Sequence, residues 1–285
     1  MKIGIIGMGV VGGATAYVLA KKHEILPYDK YKKPYNSEKN IENLAKDSEA
    51  VFLCVPTPMK PSGEIDYSSI HNSLDLLLYK SKKMKNLEHL VIVRSTAVSG
   101  TTDKLAEKYP FKFAFNPEFL REKTALQDTE NTARIVIGAN SKQSKEKILA
   151  IYKPIFPDAK YIIVNRKTAE MIKYAANVFL ALQIATANEI YSVCKAVGVN
   201  YNKVKESVLH DSRIGRNIDV PGHDGDFGFG GKCLPKDLNA LIYLARENMY
   251  RPYLLEEAWR LNEKVRKKKD WLSIAGATSE NNDFH

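Results

Sequence analysis

The sequence predicts an α/β domain with a parallel sheet, followed by an all-helical domain built around one long central helix. Three observations carry this expectation. Short apolar runs alternate with helix-period segments through about residue 165. A glycine-spaced turn joins the first apolar run to the first helix, and residues 168–197 form one alanine-rich helical pattern without proline or glycine. The length of 285 residues agrees, since roughly 150 residues per domain gives two domains.

Taken in order, residues 2–6 read as a short apolar strand and residues 10–22 as a helix rich in Ala, Val and Leu. Residues 24–28 and 50–55 are strand-like. Residues 68–80 have helical spacing, with Ile70, Leu74, Leu77 and Leu78 on one face. A buried-type strand at 90–94, a helix at 100–108 and a strand at 111–115 follow, and segments 134–138, 142–153 and 161–164 continue the alternation. Strands separated by helices need crossovers, so the sheet is expected to be parallel and covered on both faces. Gly198 is placed to stop the long helix. Beyond it come a helix at 201–210, a glycine-rich irregular stretch at 215–231, and helices at 235–248 and 252–269. The expected domains are therefore 1–165 and 166–270, with a polar tail over 271–285.

Hydrophobic residues at 44% and charged residues at 27% exclude a disordered or fibrous chain. Lys+Arg 43 against Asp+Glu 33 leaves a net charge of +10, which favours anionic partners. The basic clusters at 80–85 and 264–269 read as solvated helix ends. No interleaved aromatic platform accompanies them, so no nucleic-acid partner is expected. No run of about 18 apolar residues occurs, and no membrane association is expected. Cys54, Cys194 and Cys233 are odd in number and form no CxxC pair, which points to a reducing, cytoplasmic setting without disulfides. The histidines and cysteines show no metal-ligand spacing, so no metal is expected.

Gly7-Met8-Gly9-Val10-Val11-Gly12 directly follows the first strand and opens the first helix. In such a turn Gly7 allows the tight bend, Gly9 lets the backbone approach a pyrophosphate, and Gly12 lets helix and strand pack. The N–H groups at the helix start, around Val10 and Val11, face the anion. Asp29 ends the second strand about twenty residues on, where a carboxylate can bond ribose hydroxyls and repel a 2′-phosphate. The expectation is a Rossmann-type domain that binds NAD rather than NADP. Ligands in these sheets lie outside the carboxyl ends of the strands, so Thr57 and Thr96, in the loops after the third and fourth strands, should face the cofactor. Cys54 reads as a buried strand residue.

Glycines crowd the residues before Cys233, and Pro235 is placed to start the following helix. A cysteine at a helix N-terminus is activated because the dipole and free N–H groups stabilise thiolate; Lys232 and Lys236 add positive charge. Asp237 lies one turn on and can face the same cavity. A buried cysteine beside a structural turn is the competing reading. Lys173 and Asn177, four residues apart on the long helix, can converge on one developing oxyanion. In Asn116-Pro117-Glu118-Phe119-Leu120-Arg121-Glu122, two acids and an arginine in a post-strand loop suit proton transfer or substrate holding.

These segments together carry a resemblance. GMGVVG at 7–12, NPEFLRE at 116–122, AEMIKYAANVFLA at 169–181, DSRIG at 211–215 and GFGGKCLPKD at 228–237 resemble the UDP-glucose/GDP-mannose dehydrogenase family, in order and over residues 1 to about 265. The resemblance implies an NAD-dependent, four-electron oxidation of a nucleotide sugar's primary alcohol to a carboxylate. It implies that Cys233 captures the aldehyde as a thiohemiacetal, which is oxidised to a thioester and hydrolysed. By the same resemblance Lys173 and Asn177 stabilise the oxyanion, Asp237 with a water and Thr96 serves as acid–base group, and Glu122 assists thioester hydrolysis. Glu118, Phe119, Leu120 and Arg121 match the loop along the substrate, and Phe229 and Gly230 belong to the substrate-contacting turn. Arg213 matches an arginine that reaches the neighbouring subunit's substrate in family dimers, and the long helix matches the dimer core, so a homodimer is expected.

Family members carry a third, C-terminal α/β domain, which this sequence is not expected to include. Residues 271–276 read as a remnant of that domain's first strand. Weak substrate binding, or closure borrowed from a partner chain, is the expected consequence. The stretch 29–50 is short, and the glycine-rich segment 216–227 departs from common family spacings. Two other readings are a one-step β-hydroxyacid-type dehydrogenase, for which Cys233 is dispensable, and a non-catalytic nucleotide-sugar-binding relic. Among substrates, UDP-glucose is favoured over GDP-mannose and UDP-N-acetyl sugars by Arg213-Ile214-Gly215 together with Cys233-Leu234-Pro235-Lys236-Asp237.

Overall fold

The structure, a computed structural model, describes residues 1–281; residues 282–285 of the expected tail lie outside the described residues. The chain divides into two compact units, one of Met1–Thr57 with Tyr67–Lys173, the other of Pro58–Asp66 with the chain from Tyr174 onward.

The first unit holds a seven-stranded sheet. Its elements are β1 (Lys2–Ile6), α1 (Val10–Leu19), β2 (Glu24–Tyr28), α2 (Glu38–Asp47), β3 (Ala50–Leu53), α3 (Ser68–Lys83), β4 (Leu90–Val93), α4 (Thr101–Lys108), β5 (Lys112–Phe115), α5 (Ala125–Glu130), β6 (Arg134–Gly138), α6 (Lys142–Tyr152) and β7 (Lys160–Val164). The strand order β2-β1-β3-β4-β5-β6-β7 reverses direction between β1 and β3. That reversal opens a crevice at the carboxyl ends of β1 and β3, where ligands of such sheets bind. Successive residues of β1, β3 and β4 point to opposite faces. Ile6, Val51, Leu53, Val91 and Val93 pack under α2, α3 and α4 with Ile41, Leu44, Leu74 and Leu105. Ile3, Ile5, Phe52 and Ile92 pack on the other face with Leu19, Ile148 and Ile151. Each such side chain removed from water contributes about 1.5–3 kcal/mol, and the two-sided burial explains why these strands are apolar throughout.

The second unit takes most of α7 (Arg166–Ala196), then α8 (Tyr201–Val208), α9 (Leu234–Glu247) and α10 (Tyr253–Val265). α7 starts where the domain boundary is expected, but its residues through Lys173 group with the first unit, because Ala169 is wholly buried in that unit's core. Gly138 permits this: a Cβ there would stand 2.5 Å from the Ala169 Cβ.

Four further differences have local causes. The sheet is not wholly parallel, since β5 and β6 meet antiparallel through Phe115 and Gly138. The chain between them carries the 116–122 loop and the short α5 instead of a full crossover helix. α2 occupies the stretch between Asp29 and Ala50; the Ser37 side chain caps it by accepting from Asn40 N–H, and Ile41, Leu44 and Ala45 face inward. The two basic clusters are only partly solvated: Lys80 is buried and paired with Glu38 and Glu42, and Arg266, just past the end of α10, is buried against Asp224 and Asp270. Finally, residues 271–276 form neither a strand nor a polar tail. Trp271 lies in a 3-10 turn (Asp270–Leu272) and packs, with Ala277, on Met59 and Trp259. Met59 N–H donates to Ala277 O at 2.9 Å, and Ser279 N–H donates to Met59 O at 2.9 Å.

Candidate active site

In the first unit the loop between β1 and α1 forms a backbone cradle. Gly7 has φ +93°, and a Cβ on it would lie 2.7 Å from Cys54 O. A Cβ on Gly12 would overlap Gly7 O and lie 2.9 Å from the Gly7 carbonyl carbon. Both glycines are therefore required by the protein's own packing. Gly9 differs, because a Cβ there meets nothing within 4 Å, and the free space is where a ligand can approach the start of α1. Val10 is exposed and Val11 half-buried at that helix start. These residues fit a dinucleotide pyrophosphate.

Asp29 is occupied by its own surroundings. Its Oδ2 accepts from Met8 N–H at 2.7 Å and its Oδ1 from Tyr31 and Lys32 N–H at 2.8 and 2.9 Å. The carboxylate thus braces the glycine turn. Lys32 adds a cation there, its Nζ donating to Met8 O at 3.0 Å. The loops after β3 and β4 are stitched together by Ser95 Oγ donating to Val55 O at 2.7 Å; Thr57 is buried and Thr96 half-buried beside them. Cys54 is enclosed beneath the cradle, and burial pushes its thiol up to about 12, which suits a packing residue rather than a nucleophile.

The 116–122 loop is organised around Glu118. Its Oε1 pairs with Lys173 Nζ at 2.9 Å, both side chains being about nine-tenths buried, and its Oε2 accepts from Leu120 N–H at 2.7 Å. The Lys173 ammonium also lies 5.5 Å from the Phe119 ring, with Arg134 on the same ring at 4.3 Å. Arg121 points outward and is clamped by Asp128, whose carboxyl the Arg121 hydrogen bonds hold well below the usual range. Glu122 is exposed in the following 3-10 turn. A cavity of about 450 Å³ lies against this loop, bounded by Arg94, Asn116, Glu118, Phe119 and Tyr152. Arg94, absent from the sequence expectations, is buried there and donates to Asn116 Oδ1 and Tyr152 OH.

In the second unit Cys233 is exposed at the N-cap of α9, with Pro235 in the first turn. Asp237, one turn in, is 1% exposed. It accepts from Asn177 Nδ2 at 2.5 Å and pairs with Lys236 Nζ at 2.5 Å. The structure thus brings together Asn177 and Asp237, two residues that the sequence places in separate groupings. Lys236, read from sequence only as positive charge beside the thiol, is instead the buried partner of Asp237. Lys173 sits four residues before Asn177 on α7. Phe229 has a packing role: it is 2% exposed, lies tilted against Trp259 with ring centroids 6.4 Å apart, and has both backbone groups taken by Asn262. Gly230 is half-buried in the same turn, while Arg213 projects outward and is bound to Asp211. Among the described residues no group of three or more His, Cys, Asp and Glu is arranged to hold a metal, and no helix is long and apolar enough to cross a membrane.

Comparison with known proteins agrees with this arrangement. Residues 24–156 match the NAD binding domain of the UDP-glucose/GDP-mannose dehydrogenase family, and residues 167–264 match its central domain. The chain is 38% identical over 241 residues to UDP-glucose 6-dehydrogenase TuaD of Bacillus subtilis, a match covering 80% of this chain and 49% of that protein. It is 33% identical over 290 residues to GDP-mannose 6-dehydrogenase of Pseudomonas aeruginosa, covering 87% and 65% respectively. The solved UDP-glucose dehydrogenase of Pyrobaculum islandicum superposes with a TM-score of 0.81 at 30% identity, covering 92% of this chain and 68% of that one. The chain spans about half the length of the UDP-glucose 6-dehydrogenases it matches. It belongs to the UDP-glucose/GDP-mannose dehydrogenase family, with NAD as its cofactor.

Proposed function

We propose that this chain oxidises the primary alcohol of a nucleotide sugar, UDP-glucose first among candidates, to the carboxylate in two steps through Cys233. The observation that carries the reading is the buried Asn177–Asp237–Lys236 cluster at the first turn of the helix that Cys233 caps. A one-step alcohol dehydrogenase needs a base and an oxygen-holding pair; it has no use for an exposed cysteine held beside them.

NAD, when bound at the Gly7–Gly12 cradle, supplies the hydride acceptor. The chain's own residues do the rest. Asp237, paired with the adjacent Lys236 ammonium, takes the alcohol proton through a water. Asn177 Nδ2 and Lys173 Nζ stabilise negative charge on the substrate oxygen, with Lys173 exchanging its Glu118 contact for it. Thr96 orients the proton-carrying water. The Cys233 thiolate adds to the aldehyde carbon, giving a thiohemiacetal whose remaining hydrogen can be lost in the second oxidation. Water then cleaves the thioester, with Glu122 taking its proton, and returns Cys233 as the thiolate. Glu118, Leu120 and Arg121 lie along the sugar nucleotide.

A homodimer completes the reading. Phe179, Ile190 and Val193 on α7, and Val197 just past its end, are 73%, 45%, 55% and 67% exposed, at spacings that form one stripe. An apolar stripe of this kind on a long helix suits a second copy, and Arg213 would reach the partner's substrate. Three free cysteines suit a reducing cytoplasm.

The test is to incubate the protein and NAD with UDP-glucose, GDP-mannose and UDP-N-acetyl sugars, and to identify products by mass spectrometry. Formation of the uronate from UDP-glucose supports the reading. Aldehyde as the final product, or no product from any sugar despite bound NAD, contradicts it.

A further inference from the structure

The turn that delivers Cys233 is held by polar side chains from distant parts of the second unit. Asn188 Oδ1 accepts from Gly228 N–H at 3.0 Å, and Asn262 accepts from Phe229 N–H at 2.7 Å while donating to Phe229 O at 3.0 Å. Two residues before Cys233, Gly231 N–H donates to Asp270 Oδ2 at 3.0 Å. Gly228 and Gly231 have φ of +67° and +75°, a conformation glycine adopts without strain, so the register of the turn is set by these side-chain contacts.

Asp270 is itself fixed by Arg266. The Arg266 side chain is 2% exposed; its Nη2 pairs with Asp224 at 2.7 Å and Asp270 at 3.1 Å, Nη1 donates to Phe227 O at 3.3 Å, and Nε donates to Lys268 O at 2.8 Å. A Cβ on Gly230 would overlap this guanidinium, so the turn lies directly against it. The segment 221–226 joins from the other side: Asp226 Oδ2 accepts from Lys268 N–H at 2.7 Å. Two stretches with no assigned purpose, the 221–226 insert and the 264–269 basic run, therefore meet at one buried cation behind the cysteine turn.

We propose that Arg266 and Asp270 are positioning residues that hold Cys233 at the N-terminus of α9. This rests on the reading of Cys233 as the nucleophile. The helix field that favours thiolate falls off within the first turn, so the cysteine must be held in register with the free N–H groups to benefit. Removing the guanidinium leaves two carboxylates facing each other without a cation, and Asp270 then leaves Gly231 N–H.

The experiment is the pH dependence of iodoacetamide alkylation at Cys233, read on its peptide by mass spectrometry, in the native protein and in Arg266→Gln, Arg266→Lys and Asp270→Ala. Folding is checked by circular dichroism. In the native protein the alkylation midpoint is expected below that of an ordinary thiol. Arg266→Gln should raise it by about one pH unit and slow alkylation at neutral pH about tenfold, with Arg266→Lys intermediate. If Arg266→Gln fails to fold, Asp270→Ala should show the same shift. A folded variant that keeps the native midpoint overturns the positioning proposal and leaves the nucleophile reading intact. A native Cys233 that titrates as an ordinary thiol overturns both.

Discussion

Gly9 and Gly12 make opposite demands, and one methyl group at each position separates folding from cofactor binding. In Gly12→Ala the new Cβ overlaps Gly7 O and stands 2.9 Å from the Gly7 carbon and 3.3 Å from Cys54 Cβ. Two of these atoms belong to the β1–α1 turn and the third to the residue after β3, so α1 must lift from the sheet. Overpacking of this kind costs about 1–3 kcal/mol. In Gly9→Ala the methyl meets no protein atom within 4 Å, and the native φ of −71° suits alanine. Losing glycine at the N-cap costs up to about 1 kcal/mol, and stiffening the unfolded chain returns about 0.4–1 kcal/mol. Stability should therefore stay within about 1 kcal/mol of native. NAD affinity should nevertheless fall at least about tenfold, because the methyl fills the space the pyrophosphate needs. Urea unfolding and calorimetric NAD titration on both variants check this. A Gly9→Ala protein that binds NAD as the native protein does would refute the assignment of the cradle, and a Gly12→Ala protein of native stability would refute the packing argument.

Other substitutions probe the scaffold. Asn262→Ala strips two hydrogen bonds from the buried Phe229 peptide and should cost about 2–5 kcal/mol in urea unfolding; a loss below about 1 kcal/mol contradicts the clamp. Glu170 is wholly buried at the start of α4, accepting from Gly100 and Thr102, and burial raises its carboxyl from 4.5 to about 7. Its folded pKa is raised, so its stabilising contribution is complete below about pH 4.5 and is lost as pH rises through about 7. The span corresponds to roughly 3 kcal/mol. Glu170→Gln should flatten that part of the stability–pH curve, and an unchanged curve contradicts it. Val193→Glu places a charge in the exposed α7 stripe and should yield monomer in sedimentation; a variant with the same mass as native argues against that stripe as the dimer face.

Local signals in the sequence carried far. The β1 turn and the strands at 24–28 and 134–138 follow from spacing and turn chemistry that act within a few residues, whereas the pairing of Asn177 with Asp237 joins two helices 60 residues apart and was not legible. What stayed hidden depends on neighbours remote in sequence. A lysine run reads as solvated, yet Lys80 is buried because Glu38 and Glu42 stand opposite it. The same is true of Arg266, whose partner Asp224 is 42 residues earlier. Helix α2 did leave a trace, in Ser37 followed by inward positions 41, 44 and 45, but its low apolar content concealed it. Nothing in segment 58–66 announces that it packs with residues 271–279. Phe229 sits inside a motif whose conspicuous members are the candidate catalytic residues, and its burial against Trp259 marks it as a packing residue.

The central claim is that one chain performs two successive oxidations with Cys233 holding the intermediate. The most direct measurement is the number of NADH formed per UDP-glucose consumed, with NAD in excess, for the native protein and for Cys233→Ala. The account predicts two NADH per sugar for the native protein and loss of the second in Cys233→Ala. One NADH per sugar from the native protein, or two from Cys233→Ala, would contradict it.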